Sequence, residues 1–211
     1  MYILSEDIIF PPIHLANDDG LLAIGGDLSI ERLELAYKSG IFPWYNQGEP
    51  IIWYSPNPRM VLFPKDLKIS KSMRKILRNN ELKITFNQNF SEVILNCKSM
   101  VREGQVGTWI TNEMQQAYIK LHEKGIAKSV EVWQNHELVG GLYGIDLGNV
   151  FCGESMFSKI SNTSKLAFIF LAQKLEREHY KLIDCQVYNK HLASLGAKEI
   201  SREEFLKYLK K

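Results

Sequence analysis

Three polar side chains in the last third of the sequence are placed where they could do chemistry together. Glu154 interrupts the apolar run Phe151-Cys152-Gly153-Glu154-Ser155-Met156-Phe157, and Asp184 and Gln186 lie in Lys181-Leu182-Ile183-Asp184-Cys185-Gln186. Side chains alternate across a strand, so Cys152, Glu154 and Met156 are expected on one face of the first run and Phe151, Gly153, Ser155 and Phe157 on the other. By the same rule Leu182, Asp184 and Gln186 share a face of the second. Burying an ionised carboxylate alone costs several kcal/mol, on the order of a whole domain's net stability. Each acid is therefore either a hydrogen-bonded structural group or part of a polar cavity. Two carboxylates and an amide facing one cavity define a candidate site without yet specifying a reaction.

The segment between the two runs, residues 163–178, carries Leu166, Ala167, Phe170, Leu171 and Leu175 at helical spacing. Strand, helix and strand of these lengths form a right-handed crossover between parallel strands, whose carboxyl ends then lie on the same side. Ligands collect in that crevice, so Glu154, Asp184 and Gln186 are expected to converge on one pocket. Upstream, residues 129–133, 138–145 and 150–157 read as a meander, preceded by a strand at 82–86 and two helices. Asn89 and Glu92 form a capping box for a helix carrying Phe90, Val93, Ile94, Cys97 and Val101. Thr111 caps a helix with Met114, Ala117, Tyr118 and Leu121 inward, ended by Gly125. Short helices at 191–195, closed by Gly196, and at 202–209 complete the chain. Near the N-terminus, Ser29 caps a helix bearing Leu33, Ala36 and Tyr37 that stops at Gly40. The fold class expected is α+β: a small, loop-rich N-terminal domain over residues 1–62 and, over 63–211, a mixed sheet with flanking helices in N-acetyltransferase-like (GNAT-like) order.

The net charge of +2 leaves any nucleic-acid partner to a local patch. One exists: Lys71, Arg74, Lys75 and Arg78 fall on one helix face, opposite Ile69, Met73, Ile76 and Leu77. It is either a solvated face or a phosphate-binding stripe, four like charges without an interleaved acid calling for an anion. Three cysteines without paired spacing read as reduced thiols, and Glu6 and Asp7 replace any basic leader, so a soluble cytoplasmic protein is expected. No metal-ligand spacing occurs. Gly25-Gly26 reads as a tight turn, because neither a Lys-Ser/Thr pair nor Gly-x-Gly-x-x-Gly accompanies it. The aromatic stretches around Trp44 and Trp53 either plug a small core or wall a pocket.

Several long motifs then occur in order. Gly20-Leu21-Leu22-Ala23-Ile24-Gly25-Gly26-Asp27-Leu28-Ser29, Gly40-Ile41-Phe42-Pro43-Trp44, Ser55-Pro56-Asn57-Pro58-Arg59, Gly107-Thr108-Trp109-Ile110, the Glu154 and Asp184 runs and His191-Leu192-Ala193-Ser194-Leu195-Gly196-Ala197 together resemble the leucyl/phenylalanyl-tRNA protein transferases over nearly the whole chain. The resemblance implies transfer of leucine or phenylalanine, and less readily methionine, from tRNA to the α-amine of proteins beginning with Arg or Lys, marking them for degradation. It implies a small N-terminal domain beside an acetyltransferase-like one, no coenzyme A or other cofactor, and Asp184 and Gln186 at the catalytic centre. Residues 158–164 accordingly contain no glycine for a pyrophosphate loop. Lys128 and Leu142 depart from the residues common in the family, His and Met, and the second could retune the pocket.

Aminolysis of an activated ester needs chiefly positioning, which can contribute about 7–11 kcal/mol. Asp184 with Gln186 is expected to orient and activate the amine and the carbonyl, and Glu154 to bind the incoming or the aminoacyl amine as a counter-charge. The apolar pocket is assigned to Leu142, Phe151 and Met156 with Phe168 or Leu171, and Asn189 joins the substrate-contacting set. Trp44 and Trp109 either stack on the terminal adenosine or are core residues. The Lys71, Arg74, Lys75 and Arg78 stripe would hold the acceptor stem, and the enzyme is expected to act as a monomer. A coenzyme-A-dependent acyltransferase, a Cys152 or Cys185 nucleophile and a non-catalytic RNA-binding protein are the rival readings, the last having no use for converging acids.

Overall fold

In a computed structural model of the chain, residues 2–78, 81–100 and 108–210 are described. Val101, assigned above to a helix, and Gly107, the first residue of one of the family motifs, lie outside them. The order is β1 (Tyr2–Leu4), β2 (Leu21–Gly25), α1 (Ile30–Lys38), β3 (Phe42–Pro43), β4 (Ile52–Tyr54), β5 (Arg59–Leu62), α2 (Lys71–Arg78), β6 (Lys83–Phe86), α3 (Phe90–Ser99), α4 (Asn112–Glu123), β7 (Ala127–Gln134), β8 (Glu137–Asp146), β9 (Val150–Ser158), α5 (Thr163–Arg177), β10 (Leu182–Gln186), α6 (Lys190–Ser194), β11 (Lys198–Ile200) and α7 (Arg202–Leu209). A small sheet runs β1-β2-β4-β3 and a seven-stranded sheet β11-β5-β10-β9-β8-β7-β6, so the fold is α+β.

Local chemistry sets the helix ends where the sequence placed them. Ser29 accepts from the Arg32 amide and Thr111 from the Met114 amide, and Gly40, Gly125 and Gly196 end their helices at positive φ. Asn89 departs from the expected capping box. Its side-chain amide donates to Glu92, while the buried Glu131 carboxylate accepts from its backbone N–H at 3.4 Å.

The meander is antiparallel through β6 to β9, and the crossover α5 returns the chain so that β10 pairs parallel to β9, Leu182 opposite Val150 and Asp184 opposite Cys152. Pairing stops there, and the strands splay beyond it. One strand lies on the other side of the expected domain break: β5 pairs antiparallel with β10 and β11, so the large sheet begins at Arg59 rather than after residue 62.

Two cores flank the large sheet. One joins α1, α3, α4 and α7 residues, including Leu33, Tyr37, Phe90, Tyr118 and Phe205. The other packs Met73 of α2 and Leu166, Phe168 and Leu171 of α5 on the opposite face. Among the described residues no helix is long and apolar enough to cross a membrane.

Candidate active site

Beyond the last paired residues of β9 and β10 a cavity of about 460 Å³ opens. Its wall includes Glu154, Asp184 and Gln186, as their spacing required. The Gln186 side-chain amide donates to Glu154 Oε1 at 2.8 Å, closing the splay with one polar bridge.

A β-bulge shapes this wall. Tyr143 of β8 faces Ser155 and the next residue, Gly144, faces Gly153, so Glu154 is an extra residue on β9. The parity of the strand changes there. Cys152 and Phe157 therefore belong to one core and Phe151 and Met156 to the other, whereas simple alternation put Cys152 with Met156. Gly144 is required opposite the bulge because a Cβ there would overlap the Cys152 carbonyl oxygen and the Phe151 ring. The bulge frees Glu154 from the pleat and aims it at the cavity.

Asp184 has a different environment from the one expected of a proton acceptor. It is wholly buried, and Arg59, itself buried, donates Nε to Oδ1 at 2.8 Å and Nη2 to Oδ2 at 2.7 Å. The guanidinium is sandwiched by Phe42 and Phe205, 4.8 and 4.7 Å from their centroids, and its Nη1 donates to the Gly40 carbonyl. Burial works against the Arg59 charge, but Asp184 outweighs it, and the guanidinium is held more firmly protonated than usual. Asp184 Oδ1 also accepts the Gln186 backbone N–H at 2.9 Å. Gln186 sits at φ 63°, a left-handed conformation that costs a non-glycine residue about 1 kcal/mol or more. Asp184 is thus a buried brace that fixes the backbone from which the Gln186 amide projects.

Glu154, like Asp184 and His191, is a titratable group on the cavity wall, and it is the one that phenols meet. Tyr118 donates to its Oε2 at 3.2 Å, and the Tyr37 and Tyr118 hydroxyls are themselves hydrogen-bonded. Burial pushes Glu154 up to about 7 against the lowering effect of hydrogen bonds from Tyr37, Tyr118 and Gln186, with the Asp184 charge adding to the rise. Burial pushes the Cys152 and Cys185 thiols up as well, which works against the thiolate that nucleophilic attack would need.

On the apolar side Leu142, Met156, Phe168 and Leu171 line the cavity, joined by Ile183 and Leu192. Phe151 does not line it; its ring is 2% exposed and packs in the same core as Met156, below the cavity floor. Trp44 and Trp109 both border the cavity, Trp44 44% exposed against the edge of Tyr54 and Trp109 buried. Asn189 borders it too, while its Oδ1 caps α6 by accepting from the His191 and Leu192 amides. Lys71, Arg74, Lys75 and Arg78 lie exposed on α2, and among the described residues none of the four has an ion-pair partner. Sequence reasoning missed Arg59, Tyr37 and Tyr118. The only signals for Arg59 were the Pro-pinned turn before it and its place in the family motif, and both tyrosines read as inward helix positions.

Comparison with known proteins places the chain in a class. The chain matches the family model for leucyl/phenylalanyl-tRNA protein transferase over residues 61–210 and that for its N-terminal domain over residues 26–57. A relative of that name from Flavobacterium johnsoniae is 67% identical over 210 residues, spanning 100% of this chain and 99% of its own. Those from Flavobacterium psychrophilum and Nitrosospira multiformis are 62% and 56% identical, spanning 100% and 98% of this chain and 100% and 90% of their own. Similar solved structures include a GCN5-related N-acetyltransferase from Kribbella flavida, with TM-score 0.37 and 10% identity over 80% of this chain and 60% of that one. Another is L-PGS from Bacillus licheniformis, with TM-score 0.41 and 13% identity over 86% and 60%. The α+β assignment rests on the sheet order itself. The protein is an aminoacyltransferase, carrying aminoacyl groups from tRNA to proteins. It belongs to the leucyl/phenylalanyl-tRNA protein transferase family.

Proposed function

We propose that this enzyme moves leucine or phenylalanine, and less readily methionine, from tRNA to the free α-amine of proteins that begin with Arg or Lys, marking them for degradation in the cytoplasm. The observation that carries the reading is the apolar niche of Leu142, Met156, Phe168 and Leu171 opening directly onto the Glu154–Gln186 bridge. A branched or aromatic side chain held in that niche presents its ester carbonyl to the polar wall. Each methylene gained or lost in such a pocket is worth about 1–3 kcal/mol, so methionine is expected as a poorer substrate rather than an excluded one.

The ester is already activated, and no cofactor enters this scheme. The α-amine attacks the carbonyl carbon, the bond to the ribose oxygen breaks, and an amide forms. Gln186 orients the amine and the carbonyl, Asp184 braces Gln186, and Glu154 supplies the negative charge opposite an ammonium. Trp44, exposed at the mouth, and Trp109 in the wall border the niche where the terminal adenosine would follow the ester, a stacking site worth about 1–3 kcal/mol per base. Lys71, Arg74, Lys75 and Arg78 hold the acceptor stem through its phosphates, which position without reading sequence. Asn189, on the cavity wall, belongs to the substrate-contacting set, and the enzyme works as a monomer.

The test is incubation of the pure protein with labelled leucyl-tRNA and peptides that differ only in their first residue. Label is expected in peptides beginning with Arg or Lys and not in those beginning with Ala or Glu. Equal labelling of all peptides, or of none, overturns the reading.

A further inference from the structure

The reaction consumes an amine that arrives largely as ammonium, since a protein's α-amine ordinarily titrates at about 7.7–8, so one proton must leave before attack. Asp184 is badly placed to take it, since Arg59 occupies both carboxylate oxygens at 2.8 and 2.7 Å. Glu154 differs on each count. It stands on a bulge at the cavity wall, its Oε1 is shared only with a side-chain amide that can turn, and its Oε2 is met by a phenol.

The phenols come from both parts of the chain. Tyr118 belongs to α4, against the large sheet, and Tyr37 to α1 of the N-terminal unit. Both rings are buried. With Tyr118 donating to Glu154, its oxygen is left as the acceptor for Tyr37, so the two hydroxyl protons point in sequence towards the carboxylate. Burial and the nearby Glu154 charge raise both phenols well above their usual range, which keeps them as donors.

We propose that Glu154 is the proton acceptor for the attacking ammonium and that Tyr37 and Tyr118 are positioning residues that hold it ionised and oriented for that step. The scheme deepens the transferase reading above and rests on it. One ammonium proton passes to the Glu154 carboxylate, the neutral amine attacks the ester carbon, and a second N–H proton leaves on the departing ribose oxygen. Glu154 then returns its proton to water through the open cavity. The small N-terminal unit thereby completes the catalytic carboxylate's surroundings, which explains a helix cap and stop that set Tyr37 on the inner face of α1.

The groups around Glu154 set the sign of the test. Tyr118 on α4 and Gln186 on β10 donate to it and, with Tyr37 on α1 behind Tyr118, favour the charged form, while Asp184 on β10 opposes that form. Arg59 on β5 interacts with it favourably, Cys152 on β9 has the opposite effect, and Tyr143 on β8 packs edge-on against Tyr118 at 5.6 Å. Replacing Tyr118 removes a donor to the charged carboxylate, and replacing Tyr37 removes the phenol that supports that donor from behind. The acid limb of kcat for transfer from leucyl-tRNA to an Arg-initiated peptide is therefore expected to move up by about one pH unit in Tyr118→Phe. It should move in the same direction by less in Tyr37→Phe, and furthest in the double variant. The peptide's own amine titrates identically throughout, so only the displacement between variants is read. If Tyr118→Phe fails to fold, Tyr37→Phe, one bond further out, carries the test alone.

A rate that falls equally at every pH, with the limb unmoved, means the phenols only pack, and overturns the proposal. A native enzyme that transfers normally with no acid limb also overturns it and leaves the transferase reading standing. Absence of any transfer by the native enzyme removes both.

Discussion

Asp184→Asn separates a brace from a base. The substitution keeps the side chain's shape and leaves the buried Arg59 guanidinium facing a neutral amide, in a site where the pair is 1% and 0% exposed. Removing one partner of a buried ion pair typically costs about 3–5 kcal/mol, and because an amide oxygen can still accept from Arg59 the lower end is expected here. For a chain of this size about 3 kcal/mol corresponds to a fall in melting temperature of roughly 6–12 °C. The bond from the Gln186 N–H to Oδ1 weakens as well, and with it the hold on a left-handed backbone. A displaced Gln186 amide is expected to lower kcat about 100-fold, the scale of a 1 Å misplacement in a positioning site. KM for leucyl-tRNA should change little, since the apolar niche and the α2 stripe are untouched. The pH profile decides between the roles. The limb due to Glu154 should survive in Asp184→Asn and move to lower pH, because a negative charge that raises Glu154 has gone. Differential scanning fluorimetry and single-turnover rates across the pH range measure all three quantities. A variant with native melting temperature and rate refutes the brace, and one whose residual rate has lost its pH dependence makes Asp184 the base after all.

Leu142→Ala should enlarge the niche and cost leucine transfer at least tenfold while phenylalanine transfer falls less, which competition between the two charged tRNAs measures as a ratio of kcat/KM. Changing Lys71, Arg74 and Lys75 to Glu should leave folding intact, because all three are exposed, and should weaken tRNA binding with a flatter dependence of log Kd on log salt concentration; an unchanged slope removes α2 from the interface. Gly144→Ala should lose roughly 1–3 kcal/mol or more by overpacking the Cys152 carbonyl and Phe151, and should lower transfer even where the protein stays folded, because the bulge that aims Glu154 must shift. Glu154→Gln should stabilise the protein selectively above neutrality. A carboxyl held at about 7 in the folded state binds more protons than in the unfolded one, so its contribution is fully present below its unfolded value of 4.5 and lost as pH rises through about 7. The loss is about 3 kcal/mol, and melting curves at acid and alkaline pH should show the variant gaining on the native enzyme only in the second.

Much of the architecture was legible because it is periodic. The 163–178 helical pattern between two short apolar runs sufficed to predict a parallel pair with its carboxyl ends on one side, and the convergence of Glu154 with Gln186 followed from that topology. Features that interrupt a period were not legible. The bulge at Glu154 adds one residue to β9 without any composition signal beyond Gly153, so alternation put Met156 on the face of Cys152, whereas it shares the core of Phe151. Long-range pairing was equally silent. Arg59 lies 125 residues from Asp184 and belongs to a strand that sequence order attached to the N-terminal unit, yet β5 inserts between β10 and β11 and delivers the guanidinium to the one acid that needs it. The same is true of Tyr37 and Tyr118, 81 residues apart and each an ordinary inward position of its helix until the fold puts their hydroxyls in line with Glu154. Local pattern thus locates the chemistry, and non-local partners divide it. Two acids of similar intrinsic strength face the same cavity, and what makes one a brace and the other a proton acceptor is that the first is met by an arginine and the second by phenols and an amide.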